Sequence, residues 1–350
     1  MLGSVVRGRS RCTTMDKRIG SRRALSTVAV VTGISFFLCI GFPAEPNPQD
    51  SPRVSIPPRA VMPKRGPSPH SNMRVDVRMI LVPVTVTDVY DRPVMDLPMD
   101  SFHLYEDNVE QKVVSLFREE GPVSIGFIFD ASSSMGKRMD RSIAAIQQFL
   151  ATTTRGDEFF LVKFNDRASL VQGFTSEADD IISRLSEQKP DGWTALLDAI
   201  YLGVQQMKSA KNSRKALFVL TDGGDNSSRY SESEIRNLVK EADVQIYAIG
   251  IYEPVAARGR TPEEASGQSL LSEIAEITGG RQYPVDNVNE LPDIAAKIGV
   301  ELRNQYVIGY APANLDRDGK YRKVTVKLIQ PRGLQQLRAT HKMGYYAPSQ

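Results

Sequence analysis

VSIGFIFDASSSMGKR, residues 123–138, decides how the chain is read. Its first eight residues, apolar or small up to a closing aspartate, predict a short strand buried on both faces, and helix follows from Arg138 to Thr153. The same alternation then repeats. DEFFLVKFN (157–165) predicts a strand, Thr194 to Ser209 a helix, KALFVLTD (215–222) a strand, Ser231 to Ala242 a helix and VQIYAIGI (244–251) a strand, with further helices from Leu270 to Thr278 and from Val288 to Leu302. Buried strands separated by helices demand right-handed crossovers, so residues 121–304 are expected to form an α/β domain with a doubly wound, mostly parallel sheet.

In such a sheet, ligands sit beyond the carboxyl ends of the strands, where the strand order reverses. Three loops reach that edge carrying oxygen atoms: Asp130-Ala131-Ser132-Ser133-Ser134, Gly192-Trp193-Thr194 and Thr221-Asp222-Gly223-Gly224-Asp225. Hydroxyls and carboxylates without histidine or thiol suit one hard divalent cation, Mg2+ first, with Mn2+ or Ca2+ as alternatives. The metal set is Asp130, Ser132, Ser134, Thr194 and Asp222. Its two carboxylates offset the ion's charge, and its neutral hydroxyls leave the ion electrophilic and short of one ligand, which an acidic side chain of a partner can supply. The competing reading makes these residues turns and helix caps, with Ser134 and Thr194 capping the helices after them. Asp225 and Asp198 are read either as backing up the ligands or as serving a turn and a helix face, Asp166 as solvating its loop, and Trp193 as touching the ligand or packing beneath the loop. No G-x-x-x-x-G-K-[ST] run is present, so the glycines after Asp222 are not a phosphate loop.

The D-x-S-x-S of 130–134 with its downstream threonine and aspartate resembles the metal-ion-dependent adhesion site of the von Willebrand factor A family, as found in integrin inserted domains. That resemblance, over about 123–303, implies that Ser132, Ser134 and Thr194 touch the ion while Asp130 and Asp222 act largely through water. The wider chain, about 75–347, is similar to exported von Willebrand A-related proteins of the acidobacterial type, through VPVTVTD (82–88), FHLYED (102–107), FIFDASSSM (127–135), QYVIGYAP (305–312), DGKYRKVTVKL (318–328) and KMGYYAP (342–348).

Valine-rich alternation over 74–120 and renewed β character over 305–347 predict strands on both sides of the α/β unit. Neither flank alone has enough strands for a core, so the two are expected to pair into one smaller β module. Residues 45–73, dense in proline, read as an extended spacer. Residues 1–44 hold seven basic groups against Asp16 alone, and 24–44 carry no charge; the pair reads as a signal peptide or an N-terminal membrane anchor that places the rest outside the cytoplasm, in the periplasm, on the cell surface or secreted. Beyond residue 44 the chain holds 37 basic against 40 acidic residues, so its basic pI gives no case for nucleic acid as a partner. Both cysteines, Cys12 and Cys39, fall in the leader, leaving the rest without a disulfide.

His70, His103 and His341 all lie outside the α/β unit and no G-x-S-x-G elbow exists, so an enzyme is not expected. The expected function is cell adhesion or other binding, of a partner protein or another ligand, through the cation. The alternative is a structural or assembly role in the cell envelope, in which the metal only stabilises the fold.

Overall fold

The computed structural model describes residues 79–252, 262–330 and 336–349 of the 350-residue chain, all within the compact unit Asn72–Gln350. The expected leader and proline-rich spacer lie outside the described residues. In chain order, β1 (Ile80–Thr87), β2 (Phe102–Glu106), β3 (Val109–Gln111) and β4 (Val113–Arg118) come first. The α/β unit follows with β5 (Val123–Asp130), α1 (Met139–Leu150), β6 (Glu158–Phe164), β7 (Ala168–Thr175), α2 (Ala178–Ser186), α3 (Leu196–Gln206), β8 (Arg214–Thr221), α4 (Glu232–Glu241), β9 (Gln245–Ile251), α5 (Pro262–Thr278), β10 (Gln282–Val285) and α6 (Leu291–Arg303). Then come β11 (Tyr306–Tyr310), β12 (Tyr321–Leu328), β13 (Arg338–His341) and β14 (Gly344–Tyr346).

Six strands form the central sheet in the order β10-β9-β8-β5-β6-β7, parallel except for β7. Every residue of β5 is buried because the strand lies mid-sheet with helices over both faces. Ile125, Phe127 and Phe129 enter the layer shared with α1, α2 and α6, and Ile128 enters the layer shared with α3, α4 and α5. The Phe127 ring lies 5.6 Å from Phe149 and 5.8 Å from Phe218, and each such buried ring contributes roughly 1.5–3 kcal/mol by leaving water. A Cβ at Gly126 would stand 2.1 Å from the Phe160 ring, so glycine leaves the space in which that ring lies over β5. The sheet and its helical cover agree with the expected fold class. Three elements, β7, α2 and β10, have no counterpart in the sequence reading, and α5 begins at Pro262 rather than Leu270.

The flanking strands build two further sheets, β13-β1-β11-β4 and β14-β12-β2-β3. Each mixes strands from before and after the α/β unit: β11 lies between β1 and β4, and β12 pairs with β2. Their inner faces share one core of Val82, Val84, Val86, Phe102, Leu104, Tyr306, Ile308, Tyr310, Val324 and Val326. Buried Glu106 ties the two sheets by accepting from Tyr310 at 2.6 Å and Tyr345 at 2.9 Å.

His341, at the end of β13, is held in one protonation state. Its Nδ1 lies 3.0 Å from the Lys342 carbonyl, which can only accept, so Nδ1 carries the proton and Nε2 accepts from the Val326 N–H at 3.0 Å. Burial pulls the imidazole below its ordinary value of 6.5, against a smaller opposing effect of the Lys342 bond. A base whose folded pKa lies below its unfolded pKa contributes stability that is complete above about pH 6.5 and is lost as pH falls below it. His341→Gln keeps an acceptor toward Val326 but cannot titrate. Its thermal midpoint should therefore fall less than the parent's between about pH 6.5 and 5; parallel pH curves for the two proteins would show that His341 does not drive the acid loss.

Candidate metal centre

From β5 the chain moves to β6 on one side, and from β8 to β9 on the other, so the strand order reverses between β5 and β8. The crevice at their carboxyl ends is where an open α/β sheet binds ligands. Asp130 is the last residue of β5, and Asp222 follows the last residue of β8. The parallel register, Phe129 opposite Leu220, brings the two to the same edge.

Asp130 is fully buried, with both oxygens engaged: Oδ1 accepts from the Ser132 N–H at 2.8 Å and Oδ2 from the Thr221 hydroxyl at 2.6 Å. Ser132 Oγ lies 3.0 Å from Ser134 Oγ, which donates to Asp222 Oδ1 at 2.8 Å. Asp222 Oδ2 is ion-paired with Arg138, whose guanidinium also donates to the Ser134 carbonyl at 3.2 Å. One hydrogen-bonded set thus joins Asp130, Ser132, Ser134 and Asp222, with Thr221 and Arg138 attached.

Thr194 is fastened by its backbone to the segment after Asp222, and not to the side chains of this set. Its N–H donates to Asn226 Oδ1 at 2.8 Å, and its carbonyl accepts from the N–H groups of Asn226 and Ser227. The second loop is fastened to the first as well, because Ser133 N–H donates to the Gly192 carbonyl and Asp191 N–H to that of Ala131. Asp166, expected only to solvate its loop, instead accepts the Trp193 N–H at 2.7 Å and packs over Gly192, whose φ of +79° favours glycine. Trp193 does not pack beneath the loop; it stands 66% exposed beside the centre. Asp225 and Asp198 serve local structure. Asp225 accepts from the Ser228 hydroxyl at 2.5 Å and the Leu197 N–H at 3.4 Å, and Asp198 takes the N–H groups of Arg229 and Tyr230.

The helix-cap reading fails in the geometry. The short 3-10 turn at 133–137 has Ser132 at its N-cap without a side-chain cap bond, and α1 and α3 start after Arg138 and Ala195, neither of which caps through its side chain. The hydroxyl of Ser134 is spent on Asp222, 88 residues away in sequence. Thr221, Arg138 and Asn226 were missed because each acts across loops. Arg138 left one faint signal, its four-residue spacing from Ser134 ahead of a helix.

Burial pushes the Asp130 carboxyl up to about 6, with the nearby Asp222 charge adding to it. Burial also raises Asp222, against the Ser134 bond and the Arg138 charge. Two carboxylates crowded in a dry site favour any cation that neutralises both. Among the described residues, no three His, Cys, Asp or Glu side chains gather into a metal-binding group. The donors here are two carboxylates with hydroxyls between them, which fits a hard, oxygen-seeking ion.

The sequence profile of the von Willebrand factor type A domain matches residues 124–297, and this part of the chain belongs to that family. An uncharacterized protein of Borreliella burgdorferi is 27% identical over 184 residues, 47% of this chain and 54% of its own, so the chain spans about half the length of the curated relative it matches. Among solved structures, a von Willebrand factor type A protein from Catenulispora acidiphila is 14% identical, covering 71% of this chain and 72% of its own with a TM-score of 0.45. Proximal thread matrix protein 1 from the mussel byssus, with a zinc-occupied MIDAS motif, is 21% identical over 55% of this chain and 49% of its own, with a TM-score of 0.43.

Asp130→Asn keeps an acceptor for the Ser132 N–H and removes a buried charge. Its midpoint without divalent cations should equal or exceed the parent's. The stabilisation of the parent by Mg2+, about 2.7 kcal/mol at a hundredfold excess over the dissociation constant, should vanish in the variant. A parent whose calorimetric midpoint ignores Mg2+, Mn2+ and Ca2+ alike would refute the assignment of a cation site.

Proposed function

We propose that the protein binds a partner protein outside the cytoplasm through one divalent cation held by Ser132, Ser134, Thr194, Asp130 and Asp222, with Mg2+ as the first choice. The observation that carries this reading is the chain of contacts from Asp130 through Ser132 and Ser134 to Asp222, in which hydroxyls free of any capping duty lie between two buried carboxylates. When bound, the ion supplies a Lewis-acidic position for an oxygen of the partner. The chain's own residues hold the site's shape: Thr221 and the Ser132 N–H fix Asp130, and Asp166 fixes the second loop. Export is supported by the basic cluster ahead of the uncharged stretch 24–44.

Binding rather than catalysis is favoured by the side chains available. No histidine occurs between residues 123 and 303, so Ser132, Ser133 and Ser134 lack the base that would make one of them a nucleophile. The carboxylates at hand are committed to hydrogen bonds that shape the site. Trp193, the single tryptophan of the chain, presents an exposed indole next to Thr194, where a partner that gives a carboxylate to the cation would also lay apolar surface.

Affinity capture from envelope extracts with the full chain as bait tests the reading. Capture should be lost with chelator and with Asp130→Ala or Thr194→Ala. Trp193→Ala should weaken it by about 30-fold, the cost of a tryptophan at the centre of an interface, while leaving Mg2+ affinity unchanged. Capture indifferent to chelator and to both site variants would move the contact away from the cation and favour an envelope assembly role.

A further inference from the structure

Arg138 is the member of the centre that metal coordination does not explain. Its side chain is 14% exposed, and its guanidinium lies against Asp222, 2% exposed, and against the Ser134 carbonyl, so it bridges the first and third loops. Asp222 consequently has both oxygens occupied, Oδ1 by the Ser134 hydroxyl and Oδ2 by the guanidinium.

The two occupants differ in what they permit. A hydroxyl has one proton and two lone pairs, so Ser134 can go on donating to Asp222 while its oxygen faces a cation. A guanidinium has donors only and is always charged. It offers nothing to a metal, repels it, and offsets part of the negative charge that would attract it. Ser134 is thus compatible with a bound ion, and Arg138 in this position opposes one.

Arg138 also sits at the junction of two elements. It lies between the 3-10 turn and the first residue of α1, makes no side-chain cap, and reaches the centre from its rim. The exchange asks the guanidinium to leave Asp222 and the Ser134 carbonyl by rotation about its own side-chain bonds.

We propose that Arg138 is a built-in counter-cation that competes with the divalent ion for Asp222, so that the chain itself sets the cation concentration at which the site opens to a partner. The proposal rests on the cation-binding reading above. Through linkage, whatever stabilises the Arg138–Asp222 pair weakens the ion, and the ion loosens the pair by the same factor. When divalent cations are scarce the pair keeps the buried carboxylate satisfied; when they are plentiful, Arg138 becomes a mobile positive charge at the rim beside an exposed tryptophan, suited to an acidic partner.

The sign of one measurement decides. Mg2+ affinity is measured by titration calorimetry, and by Trp193 fluorescence, on the full chain and on Arg138→Gln and Arg138→Lys. Arg138→Gln should bind Mg2+ about tenfold more tightly, one decade being about 1.4 kcal/mol, and should have a lower midpoint in chelator; Arg138→Lys should stay nearer the parent. Affinity in Arg138→Gln that is unchanged or weaker overturns the proposal, because a residue that merely orients Asp222 would lose affinity on removal. Binding by the parent with no gain in Arg138→Gln leaves the cation site standing and sinks only the competition; no binding by either protein sinks both. Should Arg138→Gln not fold, the parent still answers: with 15N-labelled arginine, the Arg138 Nε–H resonance, assigned by its absence from Arg138→Lys, should shift and exchange faster as Mg2+ saturates the site, and a resonance indifferent to Mg2+ overturns the proposal.

Discussion

A carboxylate at the dry end of the central strand organises this molecule. Asp130 closes β5 where no water reaches it, and its two oxygens can be satisfied only by what the fold brings: a backbone N–H two residues on and a hydroxyl from the end of the adjacent parallel strand. The first bond curls the loop so that Ser132 and Ser134 turn toward β8, and the second fastens β8 at the same level. A buried charge left without such partners would cost several kcal/mol, so the register of β5 against β8 and the shape of the first loop are set together. The crevice at the strand reversal follows from the topology, and its chemistry follows from Asp130.

Sequence patterning reached the central sheet because β5, β6, β8 and β9 are near-continuous apolar runs, the only pattern a strand buried on both faces can show. It did not reach β7, ASLVQGFT, an antiparallel edge strand with one solvated side, nor α2 with its nine residues, nor β10, whose four residues include Pro284. These elements owe their state to neighbours distant in sequence, and their own composition is ambiguous. The same division runs through the centre. Asp130, Ser132, Ser134 and Asp222 stand out because oxygen-bearing residues crowd the ends of predicted strands. Thr221, Arg138 and Asp166 do not, since a threonine, an arginine and an aspartate near loops are ordinary residues until the fold shows what they face. Asp166 shows the limit most sharply: in the sequence it decorates a loop, and in the fold it holds the neighbouring loop in place.

The three loops of the centre are tied to one another and to the helix behind them. The first two loops are tied to each other by backbone bonds at Ser133 and Asp191, and the second to the third by the exchange between Thr194, Asn226 and Ser227. Gly224 in the third loop touches Gly267 of α5 so closely that a Cβ on Gly267 would stand 2.6 Å from it.

The way the β module is threaded has a mechanical consequence. Helix α6 ends at Arg303, and β11 begins at Tyr306, inserted between β1 and β4. Arg303 is itself held by Asp157 at 2.8 Å and by the Thr152 carbonyl at 2.6 Å. Sliding α6 along its axis by one turn, about 5.4 Å, would drag β11 by between one and two residues, each about 3.3 Å, and so out of register with both neighbours. The closing helix of the α/β unit is therefore moored to the flanking sheets, whose hydrogen-bond ladders on both sides of β11 resist any pull on it along the chain.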